Sequence, residues 1–169
     1  MFTIEPCCTQ KHWPELLRML DREDPVFFQG YGDLSLSELL PVILSSYSET
    51  DMLLVCPRLP DASARALSAW MRKQWARMDG RGSLDVIRHL TIVGDLRQAK
   101  SPMASAWMEE NPFEGRLTLR DRQQNDTALV LPDLALLGCV NLSYGGHFTA
   151  CVTKNARTIR SLRAMYESL

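Results

Sequence analysis

The residues of this chain best suited to chemistry lie in its last third. His147 follows the Gly145-Gly146 pair, and Asn141 and Ser143 stand just before it in Gly138-Cys139-Val140-Asn141-Leu142-Ser143. An imidazole beside an amide and a hydroxyl could attack or hold a phosphate, provided a partner orients the ring. Equally, His147 could be a strand-edge histidine beside a glycine turn, and Asn141 could tie neighbouring loops together. Farther on, Lys154, Arg157, Arg160 and Arg163 put four cations and no acid into ten residues. Arginines three apart drift slowly around a helix, so this stripe could track phosphates or form a solvated face. Asp126 has no neighbouring Asp, Glu or His close enough in sequence to complete a metal set, and His12 and His89 lack ligand spacing. No metal and no cofactor are expected.

The cysteines are Cys7, Cys8, Cys56, Cys139 and Cys151, an odd number without CxxC spacing. Cys7 and Cys8 are adjacent, which alone makes a poor zinc site. The other three sit in apolar, strand-like runs, where a free thiol behaves as a small hydrophobe. Reduced, structural cysteines in a cytoplasmic protein are the expectation.

These groups need elements to position them. Arg116 to Arg120, Thr127 to Leu131, Leu134 to Leu137 and His147 to Val152 read as four strands with no helix between them. Pro132-Asp133 reads as the tight turn joining the middle two. A final helix after Asn155 is expected to bury Ile159, Leu162, Met165 and Tyr166. Upstream, strands and helices alternate. Phe2 to Glu5 predicts a short strand, Trp13 to Leu20 a helix, and Val26 to Gln29 an extended piece ended by a Gly30-Tyr31-Gly32 turn. Ser35 to Glu38 is a capping box with Leu34 and Leu39 as its staple, opening a helix that Pro41 kinks and that ends near Tyr47.

Asp51 to Cys56 is a continuous apolar run, the signature of a strand buried on both faces. Asp61 then caps a long helix with the stripe Ala64, Leu67, Met71, Trp75 and Met78, stopped by Gly80. His89 to Val93 is a second buried strand. Ser101-Pro102 opens a further helix, serine as cap and proline at the first helical position, and Asn111-Pro112 closes it. Trp70, Trp75 and Trp107 fall at apolar helix positions, which suits core or dimer contacts better than base stacking. The fold class is α/β, a mixed β-sheet flanked by helices on both faces.

Composition bounds the function. The 169 residues suit one domain, and 46% hydrophobic content is too high for a disordered chain. With 19 Lys+Arg against 20 Asp+Glu, the net charge of -1 excludes a whole-molecule attraction to nucleic acid or anionic membrane. No segment approaches the roughly 20 apolar residues of a membrane span, and the N-terminus does not read as a secretory signal. No membrane partner is expected.

From about Leu36 to Leu169 the chain resembles one half of the phospholipase D-like fold. A helix leads into the DMLLVCPRL strand, where that family often has an apolar strand ending in Ser-Pro-Tyr. A long helix, a second buried strand, another helix and a hairpin follow, and Gly138-Cys139-Val140-Asn141 looks like the family's Gly-Ser-x-Asn segment with cysteine for serine. The HFTACV strand and the terminal helix occupy the expected places. The resemblance implies a single domain over 1–169, with 1–34 as an N-terminal extension packed on it.

It also implies a chemistry, based on His-x-Lys. One histidine attacks phosphorus, a second protonates the leaving oxygen, and lysines hold the charge. Members with one motif pair as homodimers to complete the site. Counting back from Gly138 without a gap puts Gln124 at the histidine position and Asp126 at the lysine; a hairpin two residues shorter puts Asp126 and Ala128 there. Neither alignment supplies an imidazole or an ammonium.

The expectation is therefore a catalytically inactive phospholipase D-like domain, a homodimer that binds or scaffolds nucleic acid, another phosphate-bearing ligand, or a protein. Its candidate ligand-binding residues are Gln124, Asp126, Asn141, Ser143, His147, Lys154, Arg157 and Arg160, with no catalytic residue of the standard kind. The alternative is a divergent phosphodiesterase or nuclease built around His147 and Asn141.

Overall fold

The computed structural model describes residues 2–4, 9–31, 50–59, 61, 64–65, 67–69, 71–72, 87–97, 101–113, 115–138 and 147–168. Eight strands form one sheet: β1 (Phe2–Ile4), β2 (Val26–Tyr31), β3 (Thr50–Cys56), β4 (Ile87–Gly94), β5 (Leu117–Asp121), β6 (Ala128–Val130), β7 (Ala135–Leu137) and β8 (His147–Thr153). Their order is β1-β2-β8-β7-β6-β3-β4-β5. The β3-β4-β5 and β1-β2 neighbours are parallel, and the pairs from β2 through β8, β7 and β6 to β3 are antiparallel. The sheet is thus mixed, as expected. β1 and β2, from the expected N-terminal extension, are strands of this same sheet.

β3 explains why the sheet carries helices on both faces. Side chains alternate along a strand. Met52, Leu54 and Cys56 join one apolar cluster with Leu16 and Leu20 of α1 (Thr9–Leu20), Ala64, Leu67 and Met71 of the helical residues after β3, and Trp107 of α2 (Pro102–Glu109). Leu53 and Val55 join a second cluster with Ile159 and Tyr166 of α3 (Ala156–Ser168). All five of these β3 side chains are buried, so the run is apolar without alternation. Trp107 is core, set edge-on to Phe113 with centroids 6.2 Å apart.

Caps set where the helices begin. The Ser101 hydroxyl accepts from the Ala104 N–H at 3.1 Å, with Pro102 at the start of α2. Asp61 ties that helix to the one before it: its Oδ1 accepts from Ser101 Oγ at 3.2 Å and Met103 N–H at 3.0 Å. Asn155 Oδ1 accepts from Arg157 N–H and Thr158 N–H and so caps α3. At its far end the Arg120 guanidinium donates to the Glu167 carbonyl, filling an acceptor that the helix leaves open.

Several expectations are corrected. α1 begins at Thr9, four residues before Trp13, and runs through Pro14; burial of Leu16 and Leu20 on one face outweighs the hydrogen bond that proline cannot donate. Gly30 and Tyr31 are not a turn but the end of β2, because Phe148 and His147 of β8 extend the ladder to them. Met165 is 45% exposed on the outer side of α3, so the inward stripe narrows to Ile159, Tyr166 and half-buried Leu162, which packs against the second cluster. The expected helix over 35–47, Trp75, Met78, Gly80, Cys7, Cys8 and Cys139 lie outside the described residues.

Candidate functional site

The hairpin of β6 and β7 fixes where the motif positions fall. Leu131 N–H donates to the Leu134 carbonyl at 2.8 Å, so Pro132-Asp133 is a two-residue turn as expected. Leu129 pairs with Leu136 and Ala128 with Leu137, and Gly138 N–H donates to the Thr127 carbonyl at 2.8 Å. Ala128 is fully buried among Leu53, Val55, Ile159 and Tyr166, so it is a core position. Of the motif positions, Gln124 (half-buried) and Asp126 (exposed) reach solvent.

Both lie at one edge of the sheet, and register shows what shares it. β6 runs antiparallel to β3 with Val55 opposite Ala128. Continuing that count places Pro57 across from Asp126 and Arg58 across from Asn125. The parallel strands β3, β4 and β5 end here at Cys56, Gly94 and Asp121, which are register partners. β8 begins at this edge with His147, whose backbone pairs with Tyr31. The His147 side chain, Asn141 and Ser143 lie outside the described residues.

Asp126 is engaged from below. Tyr166, buried at the end of α3, donates its hydroxyl to Asp126 Oδ2 at 3.4 Å. Burial raises the tyrosine's pKa, and the Asp126 charge and this hydrogen bond raise it further, so the ring keeps its proton. The pair therefore sets a hydroxyl donor against a carboxylate. No cation stands in it.

The basic residues divide differently from the sequence-based expectation. Lys154 follows β8 at the opposite edge, where its Nζ meets Asp21 at 2.8 Å and its N–H donates to Asp24 at 3.0 Å. Arg157 starts α3 at that edge, about 14 Å along the helix from Tyr166. Arg157 and Arg160 are exposed, and Arg157 lines a shallow concavity with Thr158, Ser161, Leu162 and Met165. Arg163 leaves the solvated stripe: its guanidinium bonds Glu167 at 3.1 Å, the Asp51 carbonyl at 3.0 Å and the Val130 carbonyl at 3.4 Å. Thus Gln124, Asp126 and the backbone of His147 share one edge, while Lys154 and Arg157 occupy the other.

Sequence reasoning missed the cations at the first edge. Arg58 and Arg122 are exposed, directly past the ends of β3 and β5. Arg97 sits between them on the β4 side, its Nε 3.2 Å from Asp121 Oδ2. The available signal was position: a charged residue just after a buried parallel strand stands where open α/β sheets bind ligands. Among the described residues, no group of three or more His, Cys, Asp or Glu could hold a metal ion. None of the described helices is long and apolar enough to cross a membrane.

No family model and no curated protein sequence matches this chain. Solved structures do match it. NucT from Helicobacter pylori aligns with a TM-score of 0.51 at 14% identity, over 86% of this chain and 95% of that one. Polyphosphate kinase from Porphyromonas gingivalis aligns at 0.56 and 12% identity, over 94% of this chain and 29% of the kinase. The archaeal chromatin protein TrmBL2 aligns at 0.49 and 16% identity over 96% of this chain, which spans 60% of its length. The fold is therefore α/β of the phospholipase D-like type.

Proposed function

We propose that this chain is a phospholipase D-like domain without phosphodiester-cleaving chemistry that binds a phosphate-bearing ligand. The observation that carries the reading is Asp126, an exposed carboxylate held by Tyr166 where the fold's lysine belongs in the ungapped alignment. A phosphate about 4 Å from that carboxylate meets repulsion of about 4 kcal/mol at a near-surface dielectric, where a lysine would attract by a similar amount. Gln124 in the histidine position is no nucleophile at phosphorus. The fold, shared with a polyphosphate kinase, and the exposed arginines support a retained role in phosphate binding. Association as a homodimer belongs to the same proposal, on the resemblance to single-motif members, and a monomer mass in solution would remove it.

The test pairs turnover with binding. The protein should release no nitrophenolate from bis(4-nitrophenyl) phosphate above the buffer rate, yet should bind inorganic pyrophosphate in calorimetry. Turnover lost on His147→Ala would replace this reading with the divergent phosphodiesterase, which the place of His147 at the same edge favours over any other enzyme reading. No turnover, and no binding of either pyrophosphate or an oligonucleotide, would leave a protein-interaction domain.

A further inference from the structure

Where the motif cation would stand, the edge carries three arginines from other strands, of which Arg97 is paired with Asp121 and, among the described residues, Arg58 and Arg122 are not. Arg58 follows β3 and Arg122 follows β5, with only β4 between them. Two strand spacings separate the strand ends by about 10 Å. The backbone there is held firmly: Arg122 N–H donates to the Gly94 carbonyl at 2.8 Å, and Leu59, next to Arg58, is fully buried.

The acids nearby are already engaged. Asp121 accepts from Leu96 N–H at 2.8 Å and Arg97 N–H at 3.2 Å as well as from the Arg97 guanidinium. Asp61 is taken up by Arg65, Ser101 and Met103. Asp126 faces Tyr166 on the β6 side, and half-buried Asp95 has a partner of its own. Arg58 and Arg122 bond to no carboxylate among the described residues. Each guanidinium offers planar, forked donors, a geometry suited to phosphate oxygens.

We propose that Arg58 and Arg122 form an anion site for paired phosphates at the carboxyl ends of β3 and β5, supplying the charge that Gln124 and Asp126 do not. This rests on the phosphate-binding reading, and it moves the ligand off the motif strand. Phosphates would sit over the ends of the parallel strands, on the β4 side of Arg58, with Asp126 on the other side of it past the start of β6. The ligand class is one with at least two phosphates within about 10 Å, as in a diphosphate or a nucleic-acid backbone.

Fluorescence anisotropy with a short labelled single-stranded oligonucleotide tests it, with inorganic pyrophosphate as competitor. The Arg58→Ala/Arg122→Ala protein should bind at least about tenfold more weakly, and its slope of log affinity against log salt should flatten by about 1.4, roughly 0.7 for each lost contact. Arg58→Lys/Arg122→Lys should restore the slope, which a merely misfolded edge would not do. Competition by pyrophosphate would identify a compact diphosphate ligand, and its absence a polymer. If the alanine pair binds like the unaltered protein, the proposal is overturned; loss of binding in Arg157→Ala/Arg160→Ala instead would keep the phosphate-binding reading and move it to α3. An unaltered protein that binds neither probe would overturn both.

Discussion

Cys56 illustrates how far a side chain's chemistry depends on where the strand puts it. Its thiol, fully buried in β3, is pushed up to about 12 by burial from an ordinary 9.0. The folded chain thus keeps a proton that the unfolded chain sheds above pH 9. The resulting stability is complete below that pH and should fall through the window from 9 to 12, by about 1.4 kcal/mol per pH unit. Denaturant titrations on either side of pH 9 check this: Cys56→Ala should lose less than the unaltered protein, and equal losses would contradict the assignment. That Cys56 is a small hydrophobe was legible from its apolar run. By contrast, the Asp126–Tyr166 bond was not legible, because it joins residues 40 positions apart through the packing of α3.

At the scale of elements, β3 and β4 approach each other closely at their ends. A Cβ built on Gly94 would lie 2.2 Å from the Cys56 carbonyl oxygen, a backbone atom with no rotamer to change. Gly94→Ala should therefore cost about 3 kcal/mol or more in a denaturant titration, since the strands themselves must shift. Gly115 offers the control. It has φ of +77° and nothing within 4 Å of a new Cβ, so Gly115→Ala should cost only about 1 kcal/mol of backbone strain. Similar losses for the two would remove the role given to this contact. The buried strands, the Ser101-Pro102 helix start and the Pro132-Asp133 hairpin were legible because each is specified by local chemistry. Errors arose where a distant partner decides: β8 extends β2 through Gly30 and Tyr31, and the narrow contact of α3 with the sheet leaves Met165 outside.

For the whole molecule, a near-neutral net charge hides an uneven placement of cations. The sheet gathers Gln124, Asp126 and the start of β8 at one edge and sends Lys154 and Arg157 to the other, so residues close in sequence do not form one site. The order of elements was enough to read the fold, since alternating strands and helices followed by a strand cluster admit few sheet topologies. The proposed site was only half legible, because strand order alone sets the ends of β3 and β5 two strand spacings apart. On the proposed function, this edge holds neither the attacking nitrogen nor the ammonium of the His-x-Lys motif. Intact-mass spectrometry at neutral pH, after incubation with bis(4-nitrophenyl) phosphate, tests it most directly. Unmodified protein is expected at every time point, whereas a phosphoryl adduct located on His147 by peptide mapping would overturn the proposed function.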